Sequence, residues 1–216
     1  MNSAERTDVF TFAVDPEIRE LTKTRMALPG IFDGEIAALW DFSIEKDSRK
    51  GKPRIKLEIN KTTYSSWLAD HNRQYFRNKG LENSSDEKTG NNARQLAFAV
   101  IVEIADNKLV FKKRSKNTDI NQLQFMPSAN GNMQFRSSYG IDADVDVNGI
   151  PNPYMTMSRE LSEELGLDIQ IYDLAVIGLG QIRCENKYGT NLLVGLHKSA
   201  KTFEEIVECT KNIHPS

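Results

Sequence analysis

The spacing of apolar residues along the chain predicts most of its elements. RIKLEIN (54–60) sets Ile55, Leu57 and Ile59 on one face, a period of two that predicts a strand. EIAALWDFSIEKD (35–47) carries Ile36, Leu39, Trp40 and Ile44 at helical spacing and predicts a helix. VFTFAV (9–14) predicts a short strand, and Thr62 or Thr63 caps a predicted helix through TYSSWLADHNRQYFRN. The polar, glycine-containing run RNKGLENSSDEKTGNNA (77–93) predicts a linker. After it, two apolar runs in LAFAVIVEIADNKLVFKKRS (96–115) flank Asp106-Asn107, which predicts a β-hairpin. The Gly/Asn/Ser/Asp-rich stretch 127–153 predicts mostly loop, and a helix follows it. LAVIGLGQIR (174–183) and NLLVGLHK (191–198) predict strands, and FEEIVECTKN (203–212) a helix begun by Thr202. The order hairpin, loop, helix, strand, strand, helix predicts a mixed α/β domain, a helix packed on a mixed sheet. It divides the chain into a small α/β appendage with linker (1–92) and a main domain (93–216).

Composition narrows the class. The chain has 216 residues, 39% hydrophobic and 27% charged, enough for a sizeable core. A net charge of −2 gives no global field for nucleic acid. Two cysteines, Cys184 and Cys209, form no metal-type pair and fit a reducing compartment. MNSAERTDVF has no basic region followed by an apolar one, and no apolar run reaches the ~18 residues of a membrane helix. The expectation is a cytoplasmic protein without membrane or nucleic-acid partners.

The chemistry concentrates in RELSEELGL (159–167). At ~100° per residue, Glu160, Glu163 and Glu164 fall within an arc of roughly 100°. Met157, Leu161, Leu165 and Tyr154 form the adjacent apolar arc, and Gly166 is suited to end the helix in a left-handed conformation. The acids border the buried face, and two of them occupy the last turn, where the helix dipole disfavours negative charge. A divalent cation would resolve this conflict, because carboxylate oxygens suit hard ions such as Mg²⁺. Arg159 would then fix one carboxylate through paired hydrogen bonds. The other reading is a solvated acidic face.

The same letters carry a family resemblance. Arg-Glu-Leu-Ser-Glu-Glu-Leu-Gly-Leu resembles the second half of the Nudix box, R-E-U-x-E-E-x-G-U with U aliphatic, matching seven constrained positions of nine. The hairpin ending in Lys113-Arg114-Ser115 and the segment Pro127-Ser128-Ala129-Asn130-Gly131 are similar to the opening hairpin and pre-box loop of that family. The resemblance covers about 94–212. It implies a Nudix α/β/α sandwich and hydrolysis of a nucleoside diphosphate linked to another group. Glu160, Glu163 and Glu164 would ligate Mg²⁺ or Mn²⁺, with Arg159 orienting a glutamate. Nudix domains commonly continue with a further strand and helix, so the C-terminal end is expected to be truncated or compact.

The first half of the box departs from the pattern. In strict register its glutamate falls on Pro151 and its glycine on Val145. Either the loop carries an insertion, with Gly131 as the equivalent glycine, or this half of the box is lost; NGNMQF (130–135) resembles the start of the family's loop and favours the insertion. It leaves the first glutamate without a partner residue, and one of the inserted aspartates is a substitute that spacing alone does not select. Asp144, Asp146, Asn148 and Gly149 match the start of an EF-hand loop, but Met155 stands where a bidentate glutamate is required.

Arg114, Arg183 and Lys187 are candidate phosphate contacts or solvated surface charges. Tyr188 and Phe135 are candidates for stacking on a base or for loop packing. His71, His197 and His214 show no metal spacing. Finally, KPRIKLEINKTTYSSWLADHN and the long pre-box loop resemble the layout of UDP-glucose pyrophosphatases within the Nudix superfamily. That implies cleavage of a nucleotide sugar to a nucleoside monophosphate and a sugar phosphate. ADP-ribose, dinucleoside polyphosphates and oxidised nucleotides are alternative substrates. A non-catalytic Nudix domain that senses a nucleotide or binds a protein is the alternative function.

Overall fold

The computed structural model describes residues 20, 22–24, 26–27, 34–46, 53–68, 95–114, 123–135, 144–184 and 187–213. The predictions at 9–14, 69–77 and in the 77–93 linker lie outside these residues, as do His71 and His214. The architecture is mixed α/β, as expected from the element order.

Strands β1 (Glu35–Lys46) and β2 (Pro53–Thr63) form an antiparallel two-stranded ribbon. The helix expected at 35–47 is therefore a strand. Its physical cause is a bulge between Leu39 and Asp41 that leaves Trp40 unpaired. The extra residue changes the apolar spacing from two to three, so Leu39, Phe42 and Ile44 share one face, opposite Ile59, Leu57 and Ile55. That broken phase imitates a helix. The near half of β1 reaches the main body: Ala37 and Leu39 join the main core, and Ile36 packs with Trp67 and Leu68. Residues 64–68 are helical, and Thr63 Oγ1 accepts from the Ser66 amide at 3.2 Å, the capping expected of it.

The main sheet holds β3 (Leu96–Glu103), β4 (Leu109–Lys113), β5 (Phe125–Pro127), β6 (Ala129–Asn132), β7 (Leu174–Cys184) and β8 (Lys187–Lys198) in the order β5-β4-β3-β8-β7, with β6 also on β3. It is mixed, because β3 runs parallel to β8 while its other pairings are antiparallel. The hairpin turn falls where expected, with Asn107 at φ 60. Part of the expected 127–153 loop is instead the strand β6, paired from Ala97↔Asn132 to Val100↔Ala129. Glycine and asparagine suggest a turn, but backbone pairing with a buried neighbour prevails over such preferences. Between β5 and β6, buried Ser128 Oγ accepts from the Val102 amide at 2.8 Å and donates to the Val110 carbonyl at 2.6 Å. It satisfies the two groups where β3 and β4 part.

Helix α1 (Pro153–Leu165) starts at Asn152, whose side chain accepts from the Tyr154 amide at 3.0 Å, and ends at Gly166, φ 66. Its Met157, Leu161 and Leu165 enter a core with Phe98, Val100, Val102, Val110 and Leu193. Met157 seats against Gly195, where an added Cβ would stand 2.6 Å from its sulfur. A larger residue at 195 would require the Met157 side chain to repack. Helix α2 (Phe203–Ile213) contributes Ile206 to the same core, and its Cys209 backbone passes close to Gly166. No helix among the described residues is long and apolar enough to cross a membrane.

Candidate metal and phosphate site

Helix α1 presents its acids as the wheel requires. Glu160 is 7% exposed and lies against the core, while Glu163 is exposed and Glu164 half-buried. Beside Glu160 runs β6. A Cβ added at Gly131 would overlap the Glu160 carboxyl group, so glycine is what lets that carboxylate lie against the strand. Gly131 thus joins the predicted acids.

Arg159 uses all five of its N–H donors. Nε and Nη2 bind the two oxygens of Asp144 at 3.0 and 2.9 Å, a two-pronged pair. Nη2 also reaches the Asn132 carbonyl at 2.8 Å. Nη1 donates to Glu160 Oε1 at 2.8 Å and Glu163 Oε2 at 2.9 Å. Burial opposes the charge of Arg159, but the hydrogen bonds to Asp144 and the fields of Glu160, Asp144 and Glu163 outweigh it and raise its pKa. Burial pushes the Glu160 carboxyl up to about 7 against the pull of Arg159, with Glu164 and Glu163 adding repulsion.

Asp144 is buried and meets Arg159. The chain brings it there by closing on itself twice. Gln134 and Asp144 exchange backbone and side-chain bonds: the Asp144 amide donates to the Gln134 carbonyl at 2.8 Å, and the Gln134 amide to Asp144 Oδ2 at 2.9 Å. Then Val145 bridges Pro151 across a tight turn, with Gly149 at φ 75. Asp146 Oδ1 accepts from the Asn148 and Ile150 amides at 2.8 and 2.9 Å, and these bonds, led by Ile150, lower its pKa. Asp144 is thus engaged by Arg159, and Asp146 by the backbone of its own turn.

Lys112 on β4 was not among the sequence candidates. Its Nζ contacts both oxygens of Glu164, and Glu164 Oε2 also accepts from the Asn130 amide at 2.9 Å. The available signal was strand parity. Lys112 shares a face with buried Val110, where an apolar residue is the default.

Arg114 lies two residues beyond Lys112 and pairs its amide with the Gln124 carbonyl at 3.0 Å. Among the described residues, no ion pair joins its side chain to the acids. Arg183, Lys187 and Tyr188 fall on β7 and β8, with side chains outside the description. Phe135 packs against the core with Lys61 Nζ 5.0 Å from its ring centre. His197 is buried, its Nδ1 facing the Asp173 carbonyl at 3.3 Å.

The donor set fits a hard divalent cation: three carboxylates within five residues of one helix, one of them cradled by a glycine. As they stand, Arg159 bridges Glu160 and Glu163 while Lys112 holds Glu164. Accordingly, among the described residues no three ligand side chains converge on one point.

No family model matches the chain, and no curated protein does. Among solved structures it is similar to DR0079 from Deinococcus radiodurans, at 17% identity and a TM-score of 0.32, over 50% of this chain and 57% of that one. It is also similar to a MutT/nudix family protein from Enterococcus faecalis, at 10% identity and a TM-score of 0.36, over 59% of this chain and 48% of that one. The chain thus spans about half the length of each, and neither likeness is close enough to carry an argument about function.

Proposed function

We propose that this chain is a Nudix-type, metal-dependent hydrolase that cleaves the diphosphate of a nucleoside diphosphate joined to another moiety. The observation that carries the reading is α1 itself. Six of the seven constrained letters of RELSEELGL sit on one helix and its cap, with buried Leu167 next in the chain, and the acids border the buried face. Glu160, Glu163 and Glu164 would hold Mg²⁺ or Mn²⁺. The bound metal would supply charge neutralisation for the diphosphate and acidify an attacking water. Arg159 orients Glu160 and Glu163, and Asp144 takes the place of the missing box glutamate by gripping Arg159. Arg114 and Arg183 are the arginines proposed for substrate phosphates. The nucleotide-sugar reading, UDP-glucose to nucleoside monophosphate and sugar phosphate, rests on the layout of the ribbon and the long loop before α1.

A nucleotide sensor without catalysis is the second reading. It is favoured by the protein's own cations, Arg159 and Lys112, which already balance the acids. A panel of UDP-glucose and other nucleotide sugars, ADP-ribose and nucleoside triphosphates, assayed with Mg²⁺ or Mn²⁺, separates the two. Release of a nucleoside monophosphate from at least one diphosphate supports the hydrolase. Tight nucleotide binding with no turnover on any of them supports the sensor.

A further inference from the structure

We propose that Lys112 is a placeholder cation on Glu164 that becomes a ligand of the substrate diphosphate once a divalent ion takes that carboxylate. The inference deepens the hydrolase reading and rests on it. Three observations lead to it. Lys112 occupies an inward position of β4, two residues from buried Val110, where a charge is costly without a partner. Its only ion pair among the described residues is with Glu164, and its Nζ spans both carboxylate oxygens, the atoms a metal would need. Glu164 Oε2 also accepts from the Asn130 amide at 2.9 Å, a hold on the carboxylate that does not depend on the lysine.

Lys112 and a divalent ion thus compete for the same two oxygens. The displaced ammonium would be left beside the carboxylate that holds the ion, where a bound diphosphate would bring negative charge for it to pair with. The lysine then neutralises charge that the metal does not. A purely structural ion pair would stabilise the fold and leave diphosphate affinity untouched.

The test uses the full chain with Mn²⁺ and inorganic pyrophosphate as probes. Free Mn²⁺ is followed by electron paramagnetic resonance, and pyrophosphate binding in the presence of Mg²⁺ by calorimetry. Removing the competing charge in Lys112→Met is expected to tighten Mn²⁺ binding by about tenfold and to weaken pyrophosphate binding by about tenfold. Lys112→Arg keeps the charge and is expected to preserve pyrophosphate binding. Lys112→Gln, isosteric enough to guard against misfolding, should follow the methionine variant. Equal or weaker Mn²⁺ binding in Lys112→Met and Lys112→Gln, or unchanged pyrophosphate affinity, overturns the proposal while leaving the hydrolase reading intact. Failure of the wild-type chain to bind Mn²⁺ at millimolar concentration overturns both.

Discussion

The two helices of the main domain are nearly equal in length and opposite in their use of charge. In α2 every local rule is kept. Thr202 and Glu205 form a reciprocal cap, with the Thr202 amide donating to Glu205 Oε2 at 2.7 Å and the Glu205 amide to Thr202 Oγ1 at 3.3 Å. Glu204 and Glu205 lie in its first turn and Lys211 in its last, as the helix dipole prefers. In α1 the first turn has no acid and the last turn has no base, while two glutamates crowd the C-terminal end. Its caps are sound and its apolar arc is buried, so the helix is secure without help from its charges. Acids placed against the local preference, on a helix that can carry the cost, are a feature that helix stability alone does not explain.

Four measurements bear on this contrast. The largest effect is expected at Asp144. Asp144→Ala takes the two-pronged partner from the half-buried Arg159, leaving it Glu160, Glu163 and the Asn132 carbonyl, and urea denaturation should register a loss of about 3 kcal/mol. A loss under half of that would mean that Arg159 finds new partners. Next come Glu163→Gln and Glu164→Gln. Each should reduce turnover of whichever diphosphate the panel identifies by a factor of order 10², from lost charge stabilisation. Unchanged turnover in both would remove α1 from the chemistry and erase the contrast with α2.

The third is pH dependence of stability in chelator-treated protein. The Glu160 carboxyl, at about 7 in the fold and 4.5 as the reference, holds its proton longer when folded. Its contribution is fully present below the unfolded pKa and is lost as pH rises through the folded one. Stability should fall between about pH 4.5 and pH 7 by roughly 3 kcal/mol, and Glu160→Gln should flatten that slope. A flat wild-type profile would contradict the burial of an ionisable Glu160. The smallest effect belongs to α2: Thr202→Ala should cost about 1 kcal/mol in thermal or urea unfolding and leave turnover unchanged.

The contrast also explains what was legible in the sequence. Helix α1 could be read because its apolar arc, its acids and Gly166 all follow one helical period. The hairpin at Asp106-Asn107 and the strands β7 and β8 could be read because long apolar runs end at clear turns. Strand β1 was misread because one bulged residue, Trp40, shifts the phase of an otherwise alternating run. Strand β6 was misread because Asn130, Gly131 and Asn132 look like turn residues. Gly131 is there to admit the Glu160 carboxylate, a reason that exists only once β6 and α1 are adjacent. Asp144 was one of several aspartates in the inserted stretch, and only the closure onto Gln134 distinguishes it. Lys112 carried a faint signal, a charge in phase with buried valine. Its partner lies 52 residues away, beyond what local spacing can report.

That closure has a consequence for how the chain can change. Gln134 and Asp144 act as a splice point, and Arg159 is positioned by the junction between them. The grip on Arg159 thus depends on two backbone positions meeting, and a change that parted Gln134 from Asp144 would loosen the hold of Asp144 on Arg159.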